Sequence, residues 1–279
     1  MGQDAVVGYP PLAVAAAWML PLNGDAAGAR RFLHAAECGS FDGPLLDGSS
    51  SLTFATTLVR ATMGALGVDR MLLDASTATA LEPPGSPWLP TAMATLGIAH
   101  ALTGDGDLAV KELDLAARLG HETKRPAAAV GALGELSLLA AERGDWLAAE
   151  DKAGQAVDLT EATGIEEHLF TILGHAAAAR VAAHNGHQVS ARRHVGRTLR
   201  LYATPSTAAF PWLSAHVAIT LGQIFLDLGD HAAARFRAQE ARRHLAGLLT
   251  EGVLRSNWIG CRPTSPARAA TAASRAPWR

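Results

Sequence analysis

The chain has 279 residues and a formal net charge of −2, and its 58 alanines and 37 leucines make up about a third of it. Because Ala and Leu are strong helix formers while strands prefer β-branched and aromatic residues, this composition favours closely packed helices over sheets. With 49% hydrophobic and 18% charged residues, a wholly disordered chain is excluded. The two cysteines, Cys38 and Cys261, form no CxxC pair, which indicates neither a disulfide framework nor a structural zinc site.

The first 22 residues carry no recognisable export or membrane signal. Residues 5–22 are uncharged, but Pro10 and Pro11 interrupt the run, and Met-Gly-Gln-Asp before it lacks the basic residues of a signal peptide. Because Pro is favoured in the first turn of a helix, the segment predicts an ordinary helix from Pro11. We expect a cytoplasmic protein with no membrane partner.

A short pattern recurs six times along the chain: a Gly, usually followed by Asp, with Ala five positions after the Gly. The copy at Gly67 is degenerate, since Leu72 takes the place of the Ala. The mean spacing is 41 residues, a period typical of repeat architectures. The copies begin at Gly24, Gly67, Gly104, Gly144, Gly186 and Gly229.

Each position of this pattern has a physical role in a helix pair. The Gly can adopt the left-handed conformation that ends a helix. The Asp can cap the next helix, because its carboxylate accepts unpaired N–H groups at the positive end of the helix dipole. The Ala is small enough for two antiparallel helices to approach closely. Each copy therefore predicts a turn between a first and a second helix.

The stretches before the turns predict the first helices. Together with the amphipathic stretches after the turns, they predict an all-α, right-handed superhelical solenoid of about six antiparallel helix pairs, similar to tetratricopeptide repeats, with the first helices lining a concave surface. The predicted first helices are Pro11–Leu22, Ser51–Ala65, Trp88–Thr103, Pro126–Arg143, Glu167–His184 and Pro211–Leu228.

The expected domain organisation is an N-terminal tail over residues 1–8, a helical-repeat domain over 9–250 and a disordered basic tail over 251–279. Within the repeats, residues 39–51 predict the longest loop, and residues 82–87 and 204–207 predict breaks between pairs. From Ser256 onward there is no acidic residue and no helical period. This composition matches a GC-rich gene read out of frame, so we hypothesise a frameshifted or truncated protein whose last residues are dispensable.

Two segments resemble the helical-repeat arm of MalT-like, LuxR-family transcriptional regulators. Pro83-Pro-Gly-Ser-Pro-Trp88 leads into an Ala/Leu helix that ends at Thr103-Gly-Asp105, and Pro211-Trp212-Leu213 runs similarly into Leu228-Gly229-Asp230. The resemblance covers approximately residues 9–249. It implies a regulatory sensor or interaction arm that binds a small inducer or a protein partner.

In that family the arm lies between a P-loop NTPase and a helix-turn-helix domain. None of the three lysines (Lys111, Lys124 and Lys152) lies in a Gly-Lys-Ser/Thr context, so ATP hydrolysis is not expected. Sequence-specific DNA binding by this chain is not expected either. We expect a non-catalytic module without metal or cofactor. A free-standing scaffold for protein–protein interaction is the alternative, and an enzyme using a groove His or Asp is a third class for which the sequence offers no nucleophile–base pair.

Three other patterns are interpreted structurally. The segment from Gly104 to Ala109 matches the GxGxxA dinucleotide motif, but it follows a helix and carries two aspartates, so we interpret it as a repeat turn. The histidines near residue 185 are interpreted as solvated or locally hydrogen-bonded rather than as metal ligands. Cys38, four residues after His34, is interpreted as a small buried hydrophobic residue. The histidines in question are His175, His184, His187 and His194.

The tryptophans and the arginines of the C-terminal third can also be interpreted either structurally or functionally. Trp18, Trp88, Trp146 and Trp212 are interpreted as residues that wedge neighbouring repeats together, with Trp88 or Trp212 favoured to line a groove. Residues 189–279 carry a net charge of +9, against −11 for residues 1–188. We interpret these arginines as a solvated outer face rather than as a site for an acidic partner. They include Arg192, Arg193, Arg197, Arg200, Arg235, Arg237, Arg242 and Arg243.

Overall fold

The structure, a computed structural model, describes residue 6 and residues 8–247 of the chain. These residues form thirteen helices and no strand. The helices are α1 (Pro10–Leu22), α2 (Ala26–Cys38), α3 (Leu52–Met63), α4 (Val68–Leu81), α5 (Leu89–Thr103), α6 (Gly106–Glu122), α7 (Pro126–Glu142), α8 (Trp146–Thr163), α9 (Thr171–His184), α10 (Gln188–Tyr202), α11 (Pro205–Ala208), α12 (Pro211–Asp227) and α13 (His231–Gly247).

Twelve of these helices form the six predicted pairs. Each first helix packs on the second helix that follows it: α1 on α2, α3 on α4, α5 on α6, α7 on α8, α9 on α10 and α12 on α13. Along the stack, α7 packs on α5 and on α9, and α9 packs on α12. The prediction of an all-helical solenoid of helix pairs is confirmed.

Five of the six repeat turns have the predicted geometry. All six repeat glycines adopt a positive φ, between 75° and 96°, but in the degenerate second copy Gly64 (φ 57°) ends α3, and Gly67 instead directly precedes α4. Four of the aspartates accept a hydrogen bond from the backbone N–H three residues ahead, as N-caps do. The repeat alanines are fully or almost fully buried between paired helices. The four caps are Asp25 to Gly28 (2.7 Å), Asp105 to Leu108 (3.3 Å), Asp145 to Ala148 (3.1 Å) and Asp230 to Ala233 (3.0 Å).

First and second helices differ sharply in burial. Twelve of the 14 residues of α9 and twelve of the 17 residues of α7 are buried, but only four of the 18 residues of α8 are. The first helices α5, α7 and α9 have neighbours on almost all sides, whereas a second helix exposes its outer face to solvent. These three first helices therefore show no amphipathic period.

The last pair packs against the second pair. The indole Nε1 of Trp212, at the start of α12, donates a 2.8 Å hydrogen bond to the carbonyl oxygen of Thr62, 150 residues away. Gly64 adopts φ 57°, and a Cβ there would lie only 2.5 Å from Cδ1 of Trp212. Nearby, Gly24 in the first pair contacts Pro205 of α11 closely. The solenoid thus turns tightly enough for its described ends to meet.

Some boundaries differ from the prediction. Helix α9 begins at Thr171 rather than at Glu167, because residues 165–170 form turns in which the N–H of His168 bonds to the carbonyl of Ile165 (2.8 Å). The predicted break at 204–207 contains the one-turn helix α11. The loop over residues 39–51 is present as predicted. The expected tails lie wholly or largely outside the described residues: 251–279 and Cys261 entirely, and 1–8 except residues 6 and 8.

Within the described part of the chain, no helix is long and apolar enough to cross a membrane.

The turn glycines provide a test of the repeat geometry. Gly144 has φ 78° and no atom within 4 Å of the place where a Cβ would lie, so substitution there adds backbone strain without a steric clash. We expect Gly144→Val to lower the free energy of unfolding by about 1–2 kcal/mol, since a β-branched residue resists positive φ. Chemical denaturation measures this change.

The matched control is Gly154→Val, at an equally open position inside α8. Gly and Val differ by only a few tenths of a kcal/mol in helix propensity, so this variant should be about as stable as the parent. Equal stability of the two variants would contradict the role assigned to Gly144.

Candidate functional site

A cavity of about 400 Å³ opens where the N-terminal ends of several first helices converge. Residues from, or adjacent to, all six helix pairs line it, which follows from the tight turn of the solenoid. The lining residues are Trp18, Met19, Leu22, Thr62, Trp88, Thr91, Ala94, Thr95, Ile98, Lys124, Arg125, Pro126, Ala127, Ala128, Gly131, Ile165, His168, Phe170, Phe210 and Trp212. We call this cavity the aromatic groove.

Two aromatic pairs form its walls. The indoles of Trp18 and Trp88 stack with their centroids 5.4 Å apart and 22° between the ring planes. Phe170 and Phe210 meet edge to face at 5.7 Å. Both are favourable arrangements for aromatic pairs, so the rings are held in place without a ligand. The groove is therefore apolar and largely preformed.

The loop over residues 39–51 holds Trp88 in position. The Nε1 of Trp88 donates a 2.9 Å hydrogen bond to the carbonyl oxygen of Asp47 in that loop. The loop is in turn fixed by the buried carboxylate of Glu82, which accepts hydrogen bonds from the hydroxyls of Ser50 (2.5 Å) and Ser86. A long loop at the surface thus helps to orient a groove wall.

The polar residues of the groove are cationic or neutral. The guanidinium carbon of Arg125 lies 4.6 Å from the ring centroid of Trp88, within cation–π range. Lys124 lies next to it, with φ 57°, the one positive φ of a non-glycine residue in the described chain. Burial lowers the pKa of His168, which keeps its imidazole neutral at pH 7. No Asp or Glu is among the lining residues given above.

A larger depression of about 860 Å³ lies between the second helices α6 and α8. Its charges are of both signs, including the ion pair of Lys152 with Asp114 at 3.4 Å. A surface with mixed charges of this kind is typical of the solvated outer faces of second helices. The smaller aromatic groove is the better candidate site because apolar walls with a few convergent polar groups characterise ligand pockets.

A buried ion pair joins α7 to α12 in the interior. The Nε2 of His216 and the carboxylate of Glu135 are 2.9 Å apart, and both side chains are nearly inaccessible. Burial alone would lower the pKa of His216, but the charge of Glu135 and its hydrogen bond outweigh burial, so this pKa is raised. Arg180 of α9 also donates a hydrogen bond to Gln223 of α12. These contacts connect the first helices rather than line a cavity.

Two other histidines are buried rather than solvated. His194 has the local hydrogen bond that the interpretation allowed, since its Nε2 lies 3.2 Å from a guanidinium nitrogen of Arg193, whereas His175 has none in the described chain. His175 and His194 are 1% and 4% exposed, and their rings lie 5.7 Å apart between α9 and α10. Neither ring nitrogen of His175 has a hydrogen-bond partner among the described residues. Burial, together with nearby positive charge, lowers the pKa of each imidazole to about 4. The alanine-rich helices leave room for these rings, which the sequence pattern could not reveal.

Two other candidates from the sequence, Cys38 and the GxGxxA segment, lie outside the aromatic groove. Cys38 is exposed, so the interpretation as a buried hydrophobic residue is wrong; its Sγ lies 3.7 Å from the Nε2 of His34. The GxGxxA segment is a repeat turn, as interpreted, since Gly104 ends α5 and Asp105 caps α6. In the described chain, no group of three or more His, Cys, Asp or Glu side chains is arranged to hold a metal ion.

The tryptophans and arginines are distributed as follows. Trp88 and Trp212, the two favoured for a groove, both line it, as does Trp18, whereas Trp146 stacks on His184 with centroids 3.6 Å apart. Lys124, Arg125, Phe170 and Phe210 were not singled out from the sequence. One feature of the sequence could have pointed to Lys124. It follows the end of a second helix, where the next pair has a glycine, Gly164. Of the arginines, Arg197 pairs with Glu161 (3.4 Å) and Arg237 with Glu240, while Arg192, Arg193, Arg200, Arg235, Arg242 and Arg243 are exposed.

The buried histidines make stability dependent on pH. Since their pKa is lowered from 6.5 to about 4 in the folded chain, the unfolded chain binds more protons between these values. Their contribution to stability is complete above pH 6.5 and is lost as the pH falls toward 4. We expect His175→Leu to remove about half of the loss of stability between pH 7 and 5 that is linked to His175 and His194, a loss on the order of 2 kcal/mol for each of the two.

Urea unfolding at stepped pH measures this effect, and His231→Leu, at an exposed position of α13, is the matched control. At pH 7.5 the His175→Leu variant should be at least as stable as the parent, because it removes buried nitrogens without partners. Identical acid sensitivity of both variants and the parent would contradict the assignment.

No family model and no curated protein matches the chain. Among solved structures, it is similar to a kinesin light chain-like protein of Podosopora anserina with nearly identical TPR-like repeats, at 16% identity over 71% of this chain and 96% of that chain, with a TM-score of 0.39. It is also similar to a Rap protein complexed with Competence and Sporulation Factor, at 10% identity over 94% of this chain and 89% of that chain, with a TM-score of 0.47. Both scores lie below 0.5, so neither likeness carries an argument about function, and nothing in these comparisons supports membership of the MalT-like family.

Proposed function

We propose that the chain is a non-catalytic regulatory module that binds a small inducer or a segment of a protein partner in the aromatic groove. The observation that carries this proposal is the preformed, apolar cavity of about 400 Å³ with cations at its edge. Its volume and lining match those of small-ligand sites. The groove contains no pairing of a nucleophile with a base, as catalysis by a side chain would require.

The position of the groove favours regulation. Trp18 belongs to the first pair and Phe210 precedes the first helix of the last pair, so an occupant touching both would hold the two ends of the solenoid together. A ligand that binds one packing arrangement better than another shifts the population toward that arrangement. In this mechanism, binding in the groove tightens the whole array and changes the surface that the module presents to a partner domain.

The output of this change is proposed by resemblance to be the activity of a transcriptional regulator, for which the chain would act as the sensor arm. The alternative is a free-standing scaffold without a transcriptional role. An NTPase or helix-turn-helix reading frame next to the coding sequence would favour the sensor arm, and its absence from the locus would favour the scaffold.

The binding site itself is tested with the neutral fluorescent probe N-phenyl-1-naphthylamine. We expect saturable binding to the parent and binding at least about tenfold weaker to Ala128→Phe, since the added ring would occupy the groove. Ala148→Phe is the matched control, because Ala148 is the third residue of α8 as Ala128 is of α7, and it lies outside the groove.

A thermal unfolding scan of each variant verifies that it is folded before binding is compared. A ligand that binds only the folded chain should also raise the thermal midpoint of the parent and of Ala148→Phe. Equal affinity of all three proteins for the probe would overturn the placement of the site, and the absence of saturable binding to the parent would overturn the proposed function.

A further inference from the structure

We infer that the aromatic groove selects a small amphipathic organic carboxylate, whose anionic end contacts Lys124 and Arg125 while its apolar part lies between the aromatic walls. This inference rests on the proposed function and specifies the chemistry of its ligand. Three features of the groove carry it: a strained lysine, an uncompensated positive charge and an apolar interior with satisfied polar groups.

Lys124 occupies a backbone position that favours glycine. The N–H of Arg125 bonds back to the carbonyl of Gly120 (2.8 Å), just as the N–H of Ile165 bonds to that of Thr160 (3.3 Å) in the next pair. In the turn that precedes Ile165, the residue with the left-handed conformation is Gly164, with φ 66°. A lysine with φ 57° costs stability that a glycine would not, and such strain concentrates at ligand-binding positions. The side chain of Lys124 is what distinguishes this turn.

The charge at this edge of the groove has no counter-charge. No carboxylate lies within 4 Å of the side-chain nitrogens of Lys124 or Arg125 in the described part of the chain, although residues 1–188 carry twice as many acidic as basic residues. Arg125 is held against the face of Trp88, which fixes its guanidinium plane. A planar guanidinium presents paired N–H donors that match a carboxylate, and a neighbouring ammonium adds to the attraction.

His168 adds a neutral donor to the same groove. Its Nδ1 accepts a hydrogen bond from the N–H of Phe170 (3.3 Å), which assigns the ring proton to Nε2. Because burial lowers its pKa, the imidazole donates without carrying a charge. A carboxylate therefore meets two cations and one N–H donor, and no acidic group repels it.

Beyond the cations the groove is apolar. The hydroxyl of Thr95 already donates to the carbonyl of Thr91 (2.9 Å), and Nε1 of Trp212 is bonded to Thr62. Apart from the hydroxyl of Thr91, the remaining side chains are mainly aromatic and aliphatic, so this part of the groove favours a hydrocarbon chain or ring over a polar ligand. A volume of about 400 Å³ holds one small molecule but not a helix of a protein partner, whose diameter is about 10 Å. The groove therefore fits a compact organic acid.

Calorimetric titration with octanoate and with 1-octanol, at pH 7.5 and low salt, separates the charge from the apolar chain. We expect the parent to bind octanoate at least about tenfold more tightly than octanol, and added salt to weaken only octanoate binding. Lys124→Gly should lose most of this preference, retain octanol binding and raise the thermal midpoint, since it removes the backbone strain. Arg125→Gln should also lose most of the preference.

The matched control is Lys111→Met, at an exposed lysine outside the groove, which should keep the full preference for octanoate. Equal affinity of the parent for octanoate and octanol would overturn this inference and leave the proposed function standing. An unchanged preference in Lys124→Gly and Arg125→Gln would overturn it as well. Binding of a short apolar peptide acid but not of octanoate would overturn the assignment of a small ligand. If the parent bound neither octanoate, octanol nor the neutral naphthylamine probe, the proposed function would be overturned too.

Discussion

The contact between Trp212 and the end of α3 sets the curvature on which the rest of the structure depends. The indole is 1% exposed, donates to the carbonyl of Thr62 and occupies space that a side chain at Gly64 would fill. Because this contact brings the sixth pair against the second, the first helices between them are buried on all sides. Burial of this kind requires small side chains at the crossings, such as Gly134, where a Cβ would lie 2.6 Å from backbone atoms of α9. The high alanine content of the chain has the same explanation.

This curvature also decides where polar groups and cavities lie. An open solenoid presents its first helices on a concave surface, but here that surface is filled by opposing first helices, and it holds buried groups such as the pair of Glu135 and His216. A buried pair of this kind is costly to break, because loss of His216 would leave the carboxylate of Glu135 uncompensated and loss of Glu135 would leave the imidazole without its hydrogen-bond partner. A cavity is present where the ends of several first helices converge. The aromatic groove lies at that place, and its walls consequently come from residues distant in sequence.

Local features of the fold could be predicted from the sequence, and contacts between distant pairs could not. The Gly-Asp pattern located the repeat turns because positive φ and N-capping have strong residue preferences, as Gly144 and Asp145 show. In the degenerate second copy, which lacks the Asp, Gly64 rather than Gly67 ends the first helix. Trp88 and Trp212 could be proposed for a groove because each follows a break in the chain. The burial of His175 was missed because α9 is buried on almost all sides and shows no hydrophobic period. The exposure of Cys38 was missed because free cysteine is among the most often buried residue types. The hydrogen bond from Trp212 to Thr62 joins residues that are 150 positions apart, so no local sequence pattern indicates it.

The aromatic groove shares Trp212 with the contact between the sixth and second pairs, and this links ligand binding to the stability of the array. Trp212 is among the residues that line the groove, and its Nε1 donates to the carbonyl of Thr62. Phe210, two residues earlier, contacts Phe170 at the opposite wall. An occupant that packs on these rings is therefore adjacent to the contact that keeps the sixth pair against the second. Because repeat arrays are stabilised by contacts between neighbouring units, a contact between the second and sixth pairs adds a constraint that an open array lacks. A ligand that strengthens this contact acts on the whole curvature, which makes the groove a suitable place for a small molecule to control a large surface.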